Sequence, residues 1–334
     1  MNMRNLLMCH NLSRQCRGFS LVELMVALVI SLILMAGIGQ IFLGSKKSFT
    51  IQDSLGRMQE NGRYAMGILT QDLRRAGYWG GNADIGAIEG SQAPDVEDGT
   101  CANGDTTWGI KLDHRIFGKD DNRTGYDCLP ADPAHTGDVL VVRYAAPWVI
   151  GGITTGPSYM ADYPNRYFLR SSLFEGRLFK GGDEANTENL INAPAERTAE
   201  LVARGYFIHT SESSDATKCP GSDAVPSLYR MVLDNDGTPK SEEVAYGVDD
   251  FQVQYGLDTD DDNSVDSFVD AAGPTDVMWD QVIAARIWLL VRAECPETGY
   301  TNDTTYTMAG VDSTYGDGYR RQLYTSTVKL RNSF

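Results

Sequence analysis

The clearest ligand-type pattern in the chain is DTDDDNSVD, which places Asp258, Asp260, Asp262 and Asp266 in one short segment directly after an alternating apolar stretch. Carboxylates at alternate positions of a loop offer hard oxygen ligands of the kind Ca2+ takes, and the first three repeat the D-x-D-x-D opening of an EF-hand loop. The match then departs from the pattern. Asn263 stands where glycine is usual, Val269 occupies the twelfth position in place of a bidentate glutamate with Asp270 beside it, and the flanking segments do not read as helices. The loop is read as a candidate Ca2+ site, with a solvated acidic turn as the alternative. No cofactor is required on either reading.

A second carboxylate is out of place in a different way. Glu23 lies within RGFSLVELMVALVISLILMAGIGQIFLG, Arg17 to Gly44, where no lysine or arginine follows Arg17. The run is long enough to cross a bilayer. A lone charge there costs about 2.5–3.5 kcal/mol or more, so Glu23 needs a cation. If many such helices pack side by side in a filament, that cation can be the terminal amine of a neighbouring subunit. The bland alternative is a single-pass anchor with Glu23 reaching to the interface.

Other chemistry is sparse. The sequence has no H-E-x-x-H, no G-x-S-x-G and no phosphate-binding glycine loop, and His114, His135 and His209 are scattered, so no enzymatic activity is expected. LDNDGTP around Asp234 and Asp236 reads as turn chemistry. Beyond Cys9 and Cys16, the cysteines Cys101, Cys128, Cys219 and Cys295 are even in number and lack C-x-x-C spacing. They are read as two disulfides, Cys101 with Cys128 and Cys219 with Cys295, formed in an oxidising compartment. Four buried free thiols are the alternative.

These residues must be positioned by a small set of elements. Residues 1–18 carry Arg4, Arg14 and Arg17 and no acid, which reads as a cytoplasmic leader. A secretory signal would put its small-residue cleavage site after the apolar run, whereas Gly18 precedes it, so cleavage there leaves the helix on the mature chain. Glu23 would then be the fifth residue, near a new amine on Phe19. With no proline before Pro94, the helix is expected to continue to about Ala76, with Ile51, Leu55, Met58, Ala65, Leu69, Leu73 and Ala76 on one face. Gly37, Gly39 and Gly44 predict a bend or local melting, or close packing through small residues.

Past residue 80 the pattern becomes turn-rich with short strands: DVLVVRY, FQVQYGL, VIAARIWLLVRA and RQLYTSTVKLRN. Phe251, Val253, Tyr255 and Leu257 alternate with Gln252 and Gln254, and Ile283, Ala285, Ile287, Leu289 and Val291 share one face opposite Arg286 and Arg292. This predicts an antiparallel sheet with one face on the core. Residues 80–135 and 150–225 read as irregular and glycine-rich. The expected class is α+β: a leader over 1–18, a membrane or filament-core helix over 19–43, an amphipathic continuation over 44–77 and a β-rich domain over 78–334. The net charge of −16, from 29 basic and 45 acidic side chains, argues against nucleic acid as the main partner.

GFSLVELMVALVIS, after a basic leader, resembles the class III signal of type IV prepilins. The resemblance implies cleavage after Gly18 by a prepilin peptidase, N-methylation of Phe19, and Glu23 as the carboxylate that aligns subunits. VAYGVDDFQVQYGLDTDDD, VIAARIWLLVRAE and YRRQLYTSTVKLRN resemble minor pilins of the PilW type. That family implies a subunit that primes a type IV pilus at or near its tip. Its partners would be the major pilin, other minor pilins and an adhesin-like tip protein. The chain would stand in the inner membrane with its domain in the periplasm, then pass to the cell surface in the pilus. The alternatives are a type II secretion-like pseudopilin, or a membrane-anchored periplasmic calcium-binding or hydrolytic protein.

Overall fold

The computed structural model describes residues 19–82, 84–90, 102, 104, 106–121, 126–130, 137–147, 160–183, 197–213, 219, 224–234, 236–272 and 276–332. The leader, including Gly18, lies outside them, as does Cys101. The chain divides into two compact units, Met1–Asp53 and Ser54–Phe334.

Helix α1 runs from Leu21 to Arg75. It stays helical through Gly37, Gly39 and Gly44, where local melting was one expectation. Isolated glycines cost up to about 1 kcal/mol each in a helix, and here they are outnumbered by leucine, methionine, alanine and isoleucine, which propagate it. In the first unit the helix holds an 18-residue window with mean hydropathy 2.7 and none of it buried by the chain. That apolar surface must be covered by something other than this chain's own domain.

The second unit is built from strands. Two elements precede the main sheet interior, β1 (Ile88–Glu89) and the short α2 (Thr107–Ile110). Then come β2 (Ile116–Lys119), β3 (Val139–Ala145), β4 (Tyr167–Ser171), β5 (Gly176–Lys180), β6 (Arg197–Thr210), β7 (Pro226–Leu233) and β8 (Pro239–Tyr246). With β1 they form an eight-stranded sheet with a path β1-β5-β4-β6-β3-β2, and β7 joins β6 to β8. Only β1 with β5 is parallel among its described pairs. A second sheet has the order β10-β9-β11-β14, from β9 (Val248–Leu257), β10 (Ser267–Asp270), β11 (Val282–Arg292) and β14 (Arg321–Lys329). The hairpin β12 (Thr305–Met308) and β13 (Val311–Thr314) stands apart.

Two expectations change here. The segment 150–225, read as irregular, holds β4, β5 and the 14-residue β6. Glycine-rich surroundings and arginines hid the alternation that only the neighbouring strands complete. The strand β11 was expected to bury one face, but Trp288 and Leu290 on its other face pack with Tyr306 and Met308 of the β12–β13 hairpin. By contrast Phe251, Val253, Tyr255 and Leu257 are buried and Gln252 and Gln254 are half-buried, as their alternation predicted.

From Ser54 onward α1 lays Met58, Ala65, Leu69, Leu73 and Ala76 into one core with residues of both large sheets, among them Phe207, Leu228, Phe251 and Ile287. Burying each large side chain of this face contributes about 1.5–3 kcal/mol. Gly62 is on the same face because the Tyr324 ring occupies the place a Cβ would take. The helix ends at Gly77, whose φ of +73° suits glycine, and the Asn332 amide donates to the carbonyls of Arg75 and Ala76 at 3.4 and 3.1 Å.

One polar residue enters this face. Asp72, 1% exposed, accepts from Arg204 Nη1 at 2.7 Å to each oxygen, from the Tyr144 hydroxyl at 2.9 Å and from the Tyr206 hydroxyl. Burial alone would lower the Arg204 pKa, and the Asp72 carboxylate more than reverses it. Burial and then Asp72 push the Tyr144 phenol up to about 12. Breaking such a pair strands a buried charge at a cost of about 3–5 kcal/mol. Asp72→Ala is therefore expected to destabilise the full chain in detergent by about that amount in chemical denaturation, and Tyr144→Phe, losing one donor, by about 0.5–1.5 kcal/mol.

Candidate functional site

The N-terminal site is built by three residues, Phe19, Ser20 and Glu23, at the head of α1. Phe19 is 87% exposed. The Glu23 carboxylate accepts from the Ser20 N–H at 3.0 Å, and the Ser20 hydroxyl accepts from the Glu23 N–H at 3.3 Å. This reciprocal pair is a capping box: it satisfies two of the donors that a helix start leaves without partners. The sequence reading passed over Ser20, although S-x-x-E was there to be seen. The bond holds Glu23 folded back toward the first residues of the chain. Its negative charge also complements the positive end of the helix dipole.

The acidic loop connects β9 to β10. One oxygen each from Asp258, Asp260 and Asp262 lies within 4.8 Å of the others. Asp258 is 6% exposed and accepts from the N–H groups of Asp262 at 3.2 Å and Asn263 at 2.8 Å, with Asn263 taking a φ of +66°. Like charge from Asp262 and Asp266 raises the Asp260 carboxyl. Asp266, expected as a fourth ligand, stands outside the three-residue group: its carboxylate caps Thr259, accepting from the N–H at 2.7 Å and the hydroxyl at 2.6 Å. Those bonds hold the Asp266 carboxyl below its usual range. Val269 is a β10 residue paired with Tyr255, and Asp270 accepts from Gln254 at 3.0 Å, so neither serves an EF-hand's last position. Three carboxylates supply only part of the six to eight oxygens that Ca2+ takes.

Cys219 and Cys295 form a disulfide with Cα atoms 5.5 Å apart. Cys128 is disulfide-bonded as well, and its expected partner, Cys101, is outside the described residues. Of the histidines, His114 is buried and His209 packs edge-on against Tyr229 at 5.1 Å. His135 lies outside the described residues.

Sequence reasoning also missed Asp138. It is 1% exposed and accepts from the N–H groups of Asp121 at 3.0 Å and Val253 at 2.6 Å. Burial pushes its carboxyl up to about 8, against the lowering effect of those two bonds. An aspartate before an apolar strand gives no sign in sequence that the strand's end will be covered.

Comparison with known proteins bears on the two ends of the chain. Residues 13–39 match the prokaryotic N-terminal methylation motif, and residues 205–332 match the family described as type IV pilus-assembly protein W. The solved structure of a type IV-like pilin from Thermus thermophilus is similar at 12% identity, covering 83% of this chain and 97% of that one, with a TM-score of 0.35. No curated protein matches the chain.

Asp138 gives a pH dependence with a definite sign. Unfolded, the carboxyl ionises near 4; folded, it holds its proton to about 8, so between these values the native state binds more protons and stability falls as pH rises. Melting temperatures in chelator are expected to decline across that window from this group, and Asp138→Asn, although destabilising, should flatten its contribution.

Proposed function

We propose, for a chain with a prepilin-type N-terminus and a C-terminal part of the PilW family, that it is a minor pilin of a type IV pilus. It is processed after Gly18, methylated on Phe19 and assembled through α1. The observation that carries this reading is the uncovered apolar start of α1 with Ser20 and Glu23 at its head. An apolar helix of that length is stable in a bilayer or among like helices. In the bilayer the carboxylate is an unpaired cost. Among like helices it meets the amine that cleavage creates on a neighbour, and two desolvated charges offset one another.

The capping box supports this role because it pre-positions the carboxylate at the height of the first residue. Side-chain entropy is then lost before assembly and not during it. The Ser54–Phe334 unit would stand on the periplasmic side and contact the major pilin and other minor pilins. Priming at the tip, beneath an adhesin-like partner, is the finer form of the reading, since the chain retains the helix carboxylate that a terminal tip subunit does without. A secretion pseudopilin would use the same helix chemistry and differ in the filament with which it co-purifies.

Ca2+ held by Asp258, Asp260 and Asp262 is a separable reading, supported by their convergence. It would rigidify the β9–β10 connection and leave the assembly chemistry untouched.

Intact and peptide mass spectrometry of chain recovered from membranes and from sheared surface filaments is expected to find a mature form beginning at N-methylated Phe19 in both. Glu23→Gln should reduce surface pili at least about tenfold with an unchanged circular dichroism spectrum, given that about 1.4 kcal/mol of lost pairing is already a factor of ten. Ser20→Ala should have a smaller effect, near the roughly 1 kcal/mol of a lost cap. An unprocessed leader in piliated cells, or normal piliation with Glu23→Gln, would overturn the assembly role.

A further inference from the structure

A second group of carboxylates gathers where β2 ends and β3 begins. These strands are antiparallel, with Lys119 opposite Val139, so the next residues outward, Asp120 and Asp138, face each other across the end of the pair. One oxygen each from Asp120, Asp121 and Asp138 lies within 4.8 Å of the others. Asp138 is buried, Asp120 half-buried and Asp121 exposed. The charges acting on Asp120 and Asp138 are those of other aspartates, namely Asp120, Asp121 and Asp270.

The independent observation is Tyr255. Its side chain is 0% exposed and its hydroxyl has no hydrogen-bond partner. An unsatisfied buried hydroxyl costs about 1–3 kcal/mol, so its position needs an explanation. That hydroxyl lies over Gly118, in the place a Cβ there would take and beside the Val139 carbonyl, which is the last register pair before Asp120 and Asp138. Tyr255 is also two residues along β9 from Val253, whose N–H donates to Asp138. After burial itself, the charge of Asp138 is the largest influence raising the phenol's pKa, with Asp120 also contributing.

We infer that Asp120, Asp121, Asp138 and the Tyr255 hydroxyl form a binding site for a hard divalent cation of the Ca2+ type. All four ligands are oxygen, which selects against the softer transition metals that favour imidazole and thiolate. Their unequal exposure suits Ca2+, which accepts irregular geometry and completes its coordination with water, better than Mg2+, which requires a near-ideal octahedron. Binding gives the Tyr255 oxygen a partner. The cation would join β2 and β3 of the eight-stranded sheet to β9 of the four-stranded one. It is distinct from the Asp258 loop and does not depend on the pilin reading.

The test uses the full chain in detergent, stripped with chelator, with Asp260→Asn and Asp262→Asn combined as the reference so that the exposed loop does not contribute. Calorimetric titration with CaCl2 is expected to give one bound ion per chain and a raised melting temperature. In that background Asp120→Asn should weaken binding at least tenfold and Tyr255→Phe severalfold, both with the chelator-state melt retained within a few degrees. Asp120 is half-buried and Tyr255→Phe removes only an unpaired hydroxyl, so neither variant should unfold the chain. Absence of Ca2+ binding in the reference, binding unaltered by both variants, or equal affinity for Mg2+ would overturn the assignment.

Discussion

A carboxylate in the middle of an apolar helix face is the constraint around which the Ser54–Phe334 unit is arranged. Asp72 projects from α1 into a core otherwise filled by Leu69, Leu73 and the sheet residues beneath them. It is tolerable there only because β3 supplies Tyr144 and β6 supplies Arg204 and Tyr206. Hydrophobic contact is non-directional and would let the helix rotate or slide by a residue at modest cost. Four hydrogen bonds to one carboxylate do not permit that, since any shift leaves a buried charge unpaired. The apolar face supplies most of the stabilisation and Asp72 selects the arrangement.

The same logic recurs wherever the two sheets and the helix end meet. Arg143, fully buried, donates to the carbonyls of Trp108 and His114, and burial lowers its pKa to about 10. Asn332 closes the α1 carbonyls from the far end of the chain. Asp138 joins the start of β3 to β9 through the Val253 N–H. Each is a polar group on a segment remote in sequence from its partner. Together they fix segments that apolar packing alone would leave free to slip.

The first unit follows the opposite rule. Its helix has apolar residues on every side, and the hydrogen bonds at its head are both made locally, between Ser20 and Glu23. Among the described residues none buries that apolar window. An apolar helix surface of that length is stable only in a bilayer or against other apolar helices.

Much of this was readable directly. The basic leader, the Gly18–Phe19 junction, Glu23 and the apolar run are local patterns, and local patterns survive in sequence because they depend on spacing alone. The 3.6-residue spacing of Met58, Ala65, Leu69 and Leu73 and the twofold spacing of Phe251 to Leu257 likewise gave the helix and the β9 strand. That Asp266 caps Thr259 was hidden because a regular run of aspartates does not reveal which one will do so. β6 was hidden because its order comes from β3, β4 and β7, and the covered second face of β11 from a hairpin later in the chain. Asp72, Asp138 and Tyr255 carry no sequence signal, since burial and partnership are properties of the assembled core. The sequence by itself determined an α+β chain with a long apolar helix at its N-terminal end. Only the tertiary structure decided which acids are buried and what each faces, because those energies depend on groups brought together from distant positions.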